Sequence, residues 1–176
     1  MALSTIDEAL DALRAGKPVL VADDENRENE GDAIIAAELV TEEWMAWIVR
    51  NTTGFLCVPM EDARANELEL PLMLQNNEDP HRTNYTVTVD ATDRESTGVS
   101  AYDRALTART LANSSKGAKD LLRPGHMVPL RAHHHGVLGR PGHTEATVDL
   151  LKLAGMTPVG VIGEMVSADG SMMRLP

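Results

Sequence analysis

Short blocks of apolar residues, separated by polar segments rich in Gly, Pro, Asp and Asn, predict a chain of mixed helices and strands. Runs that are apolar throughout, or that alternate between apolar and polar residues, predict strands at 19–22, 33–36, 55–58, 85–90, 127–131, 159–165 and 172–175. Helices are predicted after the capping residues Thr5, Thr41 and Ser100, across 61–68 and across 144–154. Because these elements mix without strict β-α-β repetition, the sequence predicts an α+β fold with a mixed sheet and flanking helices.

Helical spacing also predicts which side chains reach the core. Thr5 and Glu8 have the spacing of a capping box at the start of the first helix. The inward faces are expected to contain Ile6, Ala9, Leu10 and Leu13 in the first helix, Trp44, Met45 and Ile48 in the second, and Ala146, Leu150, Leu153 and Ala154 in the last. Pro59 is expected to stop the strand at 55–58, and the polar segment 75–82 is expected to be an exposed loop.

The composition excludes several classes of protein. The chain has 176 residues, a net charge of −11, and only two Trp, two Tyr and one Phe. This acidic balance argues against nonspecific nucleic-acid binding, and no apolar run approaches the roughly 20 residues of a membrane-spanning helix. The lone cysteine, Cys57, excludes an intrachain disulfide, and no secretory signal pattern is visible at the N-terminus. We therefore expect one soluble cytoplasmic domain.

The most informative segment is Asp23-Asp24-Glu25-Asn26-Arg27-Glu28-Asn29-Glu30-Gly31-Asp32, which lies between two predicted strands. Carboxylates this dense repel one another unless a hard cation or a polyhydroxy ligand binds among them. A solvated acidic turn is the alternative, but Arg27 within the loop favours a ligand-positioning role. The segment is not an EF-hand, because the required glycine would fall on Asn29.

A second segment, Arg140-Pro141-Gly142-His143-Thr144-Glu145, combines an arginine with the predicted start of a helix at Thr144. Free N–H groups at a helix start bind anions, and Arg140 can add a charged fork for phosphate. His143 could reach a metal beside that phosphate. The related segment Arg123-Pro124-Gly125-His126 is interpreted as a turn with a second histidine for proton transfer, and both histidines could also be incidental.

Other site patterns are missing from the sequence or are weak. No P-loop and no G-x-G-x-x-G motif follows a strand, so no nucleotide cradle is visible. The adjacent residues His133-His134-His135 cannot easily converge on one zinc ion, and we interpret them as a solvent-facing cluster. The remaining pattern indicates a metal-chelated sugar phosphate and proton abstraction next to a carbonyl. On the residues alone, isomerase, aldolase and lyase reactions stay open, as does a non-catalytic module that binds a sugar phosphate.

The two segments, together with Thr97-Gly98-Val99-Ser100-Ala101, Asp103-Arg104 and Arg123-Pro124-Gly125-His126, closely resemble the 3,4-dihydroxy-2-butanone-4-phosphate synthase family. The resemblance covers almost the whole chain in the same order. It implies the family's own α+β fold, a homodimer that binds magnesium or manganese without an organic cofactor, and a step in riboflavin biosynthesis. The implied reaction converts D-ribulose 5-phosphate to L-3,4-dihydroxybutan-2-one 4-phosphate and formate by metal-assisted enolisation and skeletal rearrangement.

The resemblance also assigns roles to particular residues. It implies that Glu28 and His143 bind the metal, and that His126 and Glu164 act in catalysis. The implied substrate-binding residues are Arg27, Glu28, Asp32, Arg140, Pro141, Gly142, His143, Thr144 and Glu164. Cys57 matches a position that is near the substrate in some members, although a small buried hydrophobic role is also open to it.

Some positions depart from the family pattern. Arg82 occupies a position where glycine is commoner, Pro141 replaces a smaller residue, and His133-His134-His135 is unusually rich in histidine. Residues 1–176 are expected to form one domain of this family, without its usual C-terminal strand and helix. The apolar faces around Trp44 and Leu150 are candidate dimer contacts, and His126 is expected to act across that interface.

Overall fold

The computed structural model describes residues 3–175, which fold into five α-helices and six strands. The helices are α1 (Ile6–Arg14), α2 (Glu42–Asn51), α3 (Asp62–Glu67), α4 (Ala101–Ala112) and α5 (His143–Leu153). The strands are β1 (Val19–Ala22), β2 (Gly31–Ala36), β3 (Cys57–Met60), β4 (Val89–Ala91), β5 (Leu121–Arg131) and β6 (Gly160–Glu164). None of the helices in this region is both long and apolar enough to cross a bilayer.

The strands form one mixed sheet in the order β1-β2-β6-β3-β5-β4. Strands β3 and β5 run parallel, whereas β1–β2, β2–β6, β3–β6 and β4–β5 are antiparallel. A mixed sheet with flanking helices is the α+β architecture that the sequence predicts, so the predicted fold class is confirmed.

Alternation along the strands gives the sheet two different faces. Ile35 and its neighbour Val161 belong to the main core, which α2 and α4 cover with residues such as Met45 and Leu111. Their strand neighbours Ile34 and Ile162 point to the opposite face and pack in a smaller cluster with Cys57, Val128 and Leu130. Helices α1 and α5 meet over part of this second face through Leu10, Leu13, Leu150 and Leu151. The part of this face that these helices leave uncovered is available for a site.

Three predicted helix starts are confirmed by their caps. The capping box of α1 is complete, since Glu8 N donates to Thr5 Oγ1 at 3.3 Å and Thr5 N donates to Glu8 Oε2 at 2.8 Å. Thr41 caps α2 by accepting from Trp44 N at 3.2 Å, and Ser100 caps α4 by accepting from Asp103 N at 3.0 Å. Each cap satisfies a backbone donor that the first helical turn leaves free.

The structure corrects several predicted core positions. Ile6 is 59% exposed and Leu153 is 64% exposed, although both were expected to face the core. Phe55, the first residue of the strand predicted at 55–58, is 53% exposed and lies outside β3. Leu150 is buried within its own chain against α1, so it is not available as a dimer contact, and Trp44 packs partly buried against the main core. Helical spacing identifies a face, but the neighbouring elements decide how wide a strip of it is covered.

Some strand boundaries also differ from the prediction. The strand expected to stop before Pro59 instead runs through it as β3, because extended backbone tolerates the fixed φ of proline. The strand expected at 85–90 is regular only from Val89, and that expected at 172–175 is reduced to one bridge between Val166 and Met172. Strand β5 begins at Leu121, so the segment 123–126 is not a turn, but a bulge opposite β4.

Candidate active site

The acidic loop is held at both ends by the β1–β2 hairpin. Ala22 and Gly31 are register partners, and Asp23 N donates to Glu30 O at 3.2 Å. Inside the loop, the carboxylate of Asp23 accepts from Glu28 N at 3.1 Å and from Glu30 N at 2.9 Å. One side chain therefore organises the loop backbone around itself.

Arg27 joins two acidic side chains of this loop. Its guanidinium donates to Asp23 Oδ2 at 2.7 Å and also contacts Glu28 Oε2. The Arg27 side chain is only 13% exposed, so the pairing is shielded from solvent and less screened than a surface ion pair. Arg27 thereby fixes the position of Glu28.

Helix α5 brings His143 to this loop. Its imidazole is buried, with Nδ1 3.8 Å from Glu28 Oε2 and 3.5 Å from Asp32 Oδ1. Asp23, Glu28 and His143 each offer a ligand atom, and these atoms all lie within 4.8 Å of one another. Burial lowers the pKa of His143, which favours the neutral imidazole that binds metals.

Two buried polar atoms without hydrogen-bond partners indicate that a cation can bind beside the acidic loop. Asp32 Oδ1 and His143 Nε2 have no hydrogen-bond partner among the described residues, and such atoms are costly unless a ligand satisfies them. Carboxylate oxygens and one imidazole are a donor set that suits magnesium or manganese. The residues present therefore fit a divalent cation.

Asp32 and Glu164 form the floor of the site. They are register partners on β2 and β6, so both side chains project from the same face of the sheet. Burial, together with the charges of Glu164 and Glu28, raises the pKa of Asp32 to about 8. Burial also raises the pKa of Glu164. At neutral pH this pair can hold a proton, which a general acid–base site requires.

The start of α5 lies where the sequence predicts an anion site. The helix begins at His143, one residue earlier than expected, and Gly142 caps it without a side-chain hydrogen bond. A side chain at Gly142 would collide with Arg140 and Arg27, so glycine allows two guanidinium groups to approach the first helical turn. Two cations and free N–H groups can bind a phosphate here.

Arg140 is fixed by three hydrogen bonds. It donates to Glu145 Oε2 at 2.7 Å, to Thr83 Oγ1 at 2.8 Å and to His81 O at 2.8 Å. Glu145 is 1% exposed and also accepts from His133 N at 2.9 Å. Arg140 is therefore tied to the loop that ends at Thr83, and residues 75–82 of this loop are mostly exposed, as expected.

These groups border an open cleft. Eight of the site residues inferred from the sequence line it, namely Arg27, Glu28, Asp32, Cys57, Arg140, His143, Thr144 and Glu164. Gly142 lies beside two of them, whereas Pro141 is exposed and does not line the cleft. Burial raises the pKa of the Cys57 thiol, which keeps it protonated.

His126 lies elsewhere in this chain. It belongs to the β5 bulge and does not line the cleft, and its side chain is 41% exposed. The rings of the adjacent histidines 133–135 contact one another. The first pair is stacked with ring centroids 4.5 Å apart, and the second pair is tilted with ring centroids 3.9 Å apart. His134 and His135 are exposed to solvent, as expected for a surface cluster.

Sequence reasoning missed three polar residues of the site. Asp23 belongs to the possible metal cluster, and Thr83 and Tyr85 line the cleft. The carboxylate density of the acidic loop could have indicated Asp23. Thr83 and Tyr85 carry no comparable local signal, because only tertiary pairing brings their segment to the cleft.

The chain is similar in sequence to proteins of known function. Residues 7–176 match the family model described as 3,4-dihydroxy-2-butanone 4-phosphate synthase. The chain is 54% identical to the Candida albicans 3,4-dihydroxy-2-butanone 4-phosphate synthase, covering 97% of this chain and 84% of that protein. It is 55% identical to the riboflavin biosynthesis protein RibBA of Salinispora arenicola, covering 98% of this chain but only 41% of that protein.

The chain is also similar in fold to a solved structure. A crystal structure of 3,4-dihydroxy-2-butanone 4-phosphate synthase in complex with two magnesium ions superposes with a TM-score of 0.96 at 45% identity. The match covers 98% of this chain and 86% of that one. The likeness therefore extends over the fold as well as the sequence.

Proposed function

The chain belongs to the 3,4-dihydroxy-2-butanone 4-phosphate synthase family, and we propose that it is a lyase of riboflavin biosynthesis. The reaction converts D-ribulose 5-phosphate to L-3,4-dihydroxybutan-2-one 4-phosphate and formate. The observation that carries the proposal is the convergence of Glu28, Asp32 and His143 with an anion site at the start of α5. A phosphorylated sugar needs both parts, one for its hydroxyls and one for its phosphate.

Substrate phosphate would bind at the first turn of α5. The N–H groups of this turn and the hydroxyl of Thr144 can donate to phosphate oxygens, while Arg140 and Arg27 supply positive charge. Glu145 keeps Arg140 in place through a buried ion pair at 2.7 Å. With the phosphate fixed there, the sugar carbons would extend toward Asp32 and Glu164.

Glu28 and His143 would hold magnesium or manganese, with Asp23 close enough to contribute. When bound, the cation supplies Lewis-acid polarisation of the substrate carbonyl and hydroxyl oxygens. Arg27 would keep the Glu28 carboxylate oriented toward this position through their direct contact.

Asp32 and Glu164 would move protons. The pKa of Asp32, raised to about 8, suits a group that alternates between acid and base near neutral pH. Burial also raises the pKa of its partner Glu164. Enolisation needs a base at the carbon beside the carbonyl, and loss of a hydroxyl needs an acid. The two products together contain the same atoms as the substrate, so the reaction as a whole needs no external oxidant or reductant and no organic redox cofactor.

We also propose that residues 1–176 act as one domain in a cytoplasmic homodimer. His126 matches a position to which the family resemblance assigns a catalytic role, yet it lies away from the cleft of its own chain, which supports contribution of His126 to the site of a partner subunit. Phe55 is 53% exposed beside the cleft and is a better candidate contact than Leu150. The lone, buried Cys57 is consistent with a reducing compartment.

A formate assay tests the proposal directly. Purified protein with magnesium and D-ribulose 5-phosphate is expected to release one formate per substrate consumed. Glu28→Gln should abolish release, whereas Glu25→Gln, an exposed carboxylate in the same loop, should not. Consumption of substrate without formate would indicate an isomerase or aldolase, and binding without turnover would indicate a non-catalytic module.

A further inference from the structure

His126 and Asp90 form a hydrogen-bonded pair outside the cleft. The His126 ring nitrogen Nδ1 lies 2.9 Å from Asp90 Oδ2, and His126 N donates to Asp90 Oδ1 at 2.8 Å. The Asp90 side chain is 0% exposed, whereas that of His126 is 41% exposed. One side chain therefore anchors both the backbone and the ring of a histidine that otherwise faces outward.

The fold builds a close-fitting enclosure for this carboxylate. Arg94 donates to Asp90 Oδ2 at 2.6 Å and to Thr97 O at 2.6 Å. Gly98 has φ +99°, and a side chain there would overlap the Asp90 carboxylate. On the other side, a side chain at Gly125 would overlap the backbone of β4 at residues 89 and 90. Two glycines thus allow the approach that brings the pair together.

This arrangement determines where the imidazole carries its proton. Paired with Arg94, the Asp90 carboxylate can only accept hydrogen bonds, so the nearby Nδ1 of His126 must donate one. A neutral imidazole has one N–H, and therefore Nε2 keeps the free lone pair on the exposed side of the ring. When Nε2 accepts a proton, the ring becomes a cation that the carboxylate stabilises.

We infer that Asp90 is a positioning residue that fixes His126 as the Nδ1-protonated tautomer and leaves Nε2 to exchange protons with the substrate. The inference rests on the proposed catalytic role of His126, but the tautomer can be measured independently of catalysis. It also explains why a buried carboxylate and a glycine with positive φ lie behind a histidine that does not line the cleft of its own subunit.

Asp90→Asn changes the tautomer with little change in volume. The amide oxygen is expected to keep the bond from His126 N, because that backbone donor cannot move, and the NH₂ group then faces Nδ1. Nδ1 must accept, and the proton moves to Nε2. Arg94 is partly exposed and can turn away toward solvent. Asp93→Asn is the matched control, since Asp93 is exposed and bonds Thr92 and Lys116 rather than His126.

The test combines nitrogen NMR of histidine-labelled protein with steady-state kinetics. Wild type and Asp93→Asn should show His126 protonated at Nδ1, and Asp90→Asn should show it protonated at Nε2. Asp90→Asn should lower kcat by about 10²- to 10⁴-fold, with a much smaller change in KM.

A wild-type His126 protonated at Nε2 would overturn the inference even if Asp90→Asn failed to fold. If Asp90→Asn showed His126 protonated at Nε2 but kept the kcat of wild type, the inference would be overturned as well. If wild type released no formate, the proposed function would fail, while the spectrum would still decide the Asp90–His126 pairing.

Discussion

Asp32 and Glu164, which are far apart in sequence, are direct register partners on neighbouring antiparallel strands. Their side chains share one face of the sheet, beneath the start of α5, where His143 Nδ1 lies 3.5 Å from Asp32 Oδ1. Two carboxyls on adjacent positions, Asp32 buried and Glu164 half-buried, disfavour each other's ionisation. The native state therefore holds a proton that the unfolded chain would release.

This relationship predicts how stability depends on pH in metal-free protein. The pKa of Asp32 is raised from an ordinary 3.8 to about 8, so between these values the native state binds more protons than the unfolded state. The free energy of unfolding should therefore fall as pH rises from about 4 to about 8. Asp32→Asn removes this dependence and should be more stable than wild type at pH 8 by on the order of a few kcal/mol.

Urea unfolding at several pH values, with EDTA present, measures this effect. The advantage of Asp32→Asn should shrink toward pH 4, where wild-type Asp32 is protonated in both states. Glu25→Gln changes an exposed carboxylate of the acidic loop and keeps Asp32. The difference in unfolding free energy between this variant and wild type should therefore not change with pH in this way. An Asp32→Asn advantage that stays constant across the pH range would contradict the raised pKa.

The second prediction concerns the metal ligands. Glu28→Gln and His143→Ala should each reduce turnover by at least about 100-fold, because each removes a ligand or distorts the remaining ones. EDTA should abolish wild-type activity, and magnesium or manganese should restore it. Calorimetric titration with magnesium should show weakened binding in both variants. Near-wild-type binding and turnover in both would show that the ligands are elsewhere.

The third prediction concerns Arg82, whose backbone has φ +56°. A left-handed conformation costs a non-glycine residue about 1–2 kcal/mol, while glycine loses roughly 0.5–1 kcal/mol more backbone entropy on folding. Arg82→Gly should therefore be more stable than Arg82→Ala by up to about 1 kcal/mol. The alanine variant controls for loss of the bond from Arg82 to Asn77 O at 3.1 Å. Equal thermal midpoints for the two variants would contradict the expected strain.

The fourth prediction concerns assembly. If His126 serves the partner's site in a two-fold dimer, mixing inactive His126→Ala with inactive Glu28→Gln should restore activity. The yield should approach about a quarter of the wild-type value, because half of the dimers are mixed and each has one intact site. Sedimentation and a tagged-subunit exchange assay provide the controls. Persistent inactivity after proven exchange would place His126 and Glu28 in the same subunit's site.

The sequence by itself determined the features that depend on neighbouring residues. The capping box at Thr5 and the caps at Thr41 and Ser100 need only a side chain and an N–H three residues later. The acidic loop is likewise local, since Asp23 organises a backbone that begins and ends in one hairpin. These three helix starts and the acidic character of the loop could therefore be predicted without any knowledge of packing, whereas only tertiary structure brings His143 to the loop.

Tertiary structure decided everything that depends on strand register and on which faces are covered. Only the β2–β6 register places Glu164 opposite Asp32, and only the β4–β5 bulge joins His126 to Asp90. Arg140 reaches Thr83 because the 75–83 loop folds back onto α5. A shift of one residue in either register would turn these side chains to the other face. Hydrophobic alternation within a single strand cannot specify its partner, so these pairings were decided by the packing of the whole sheet.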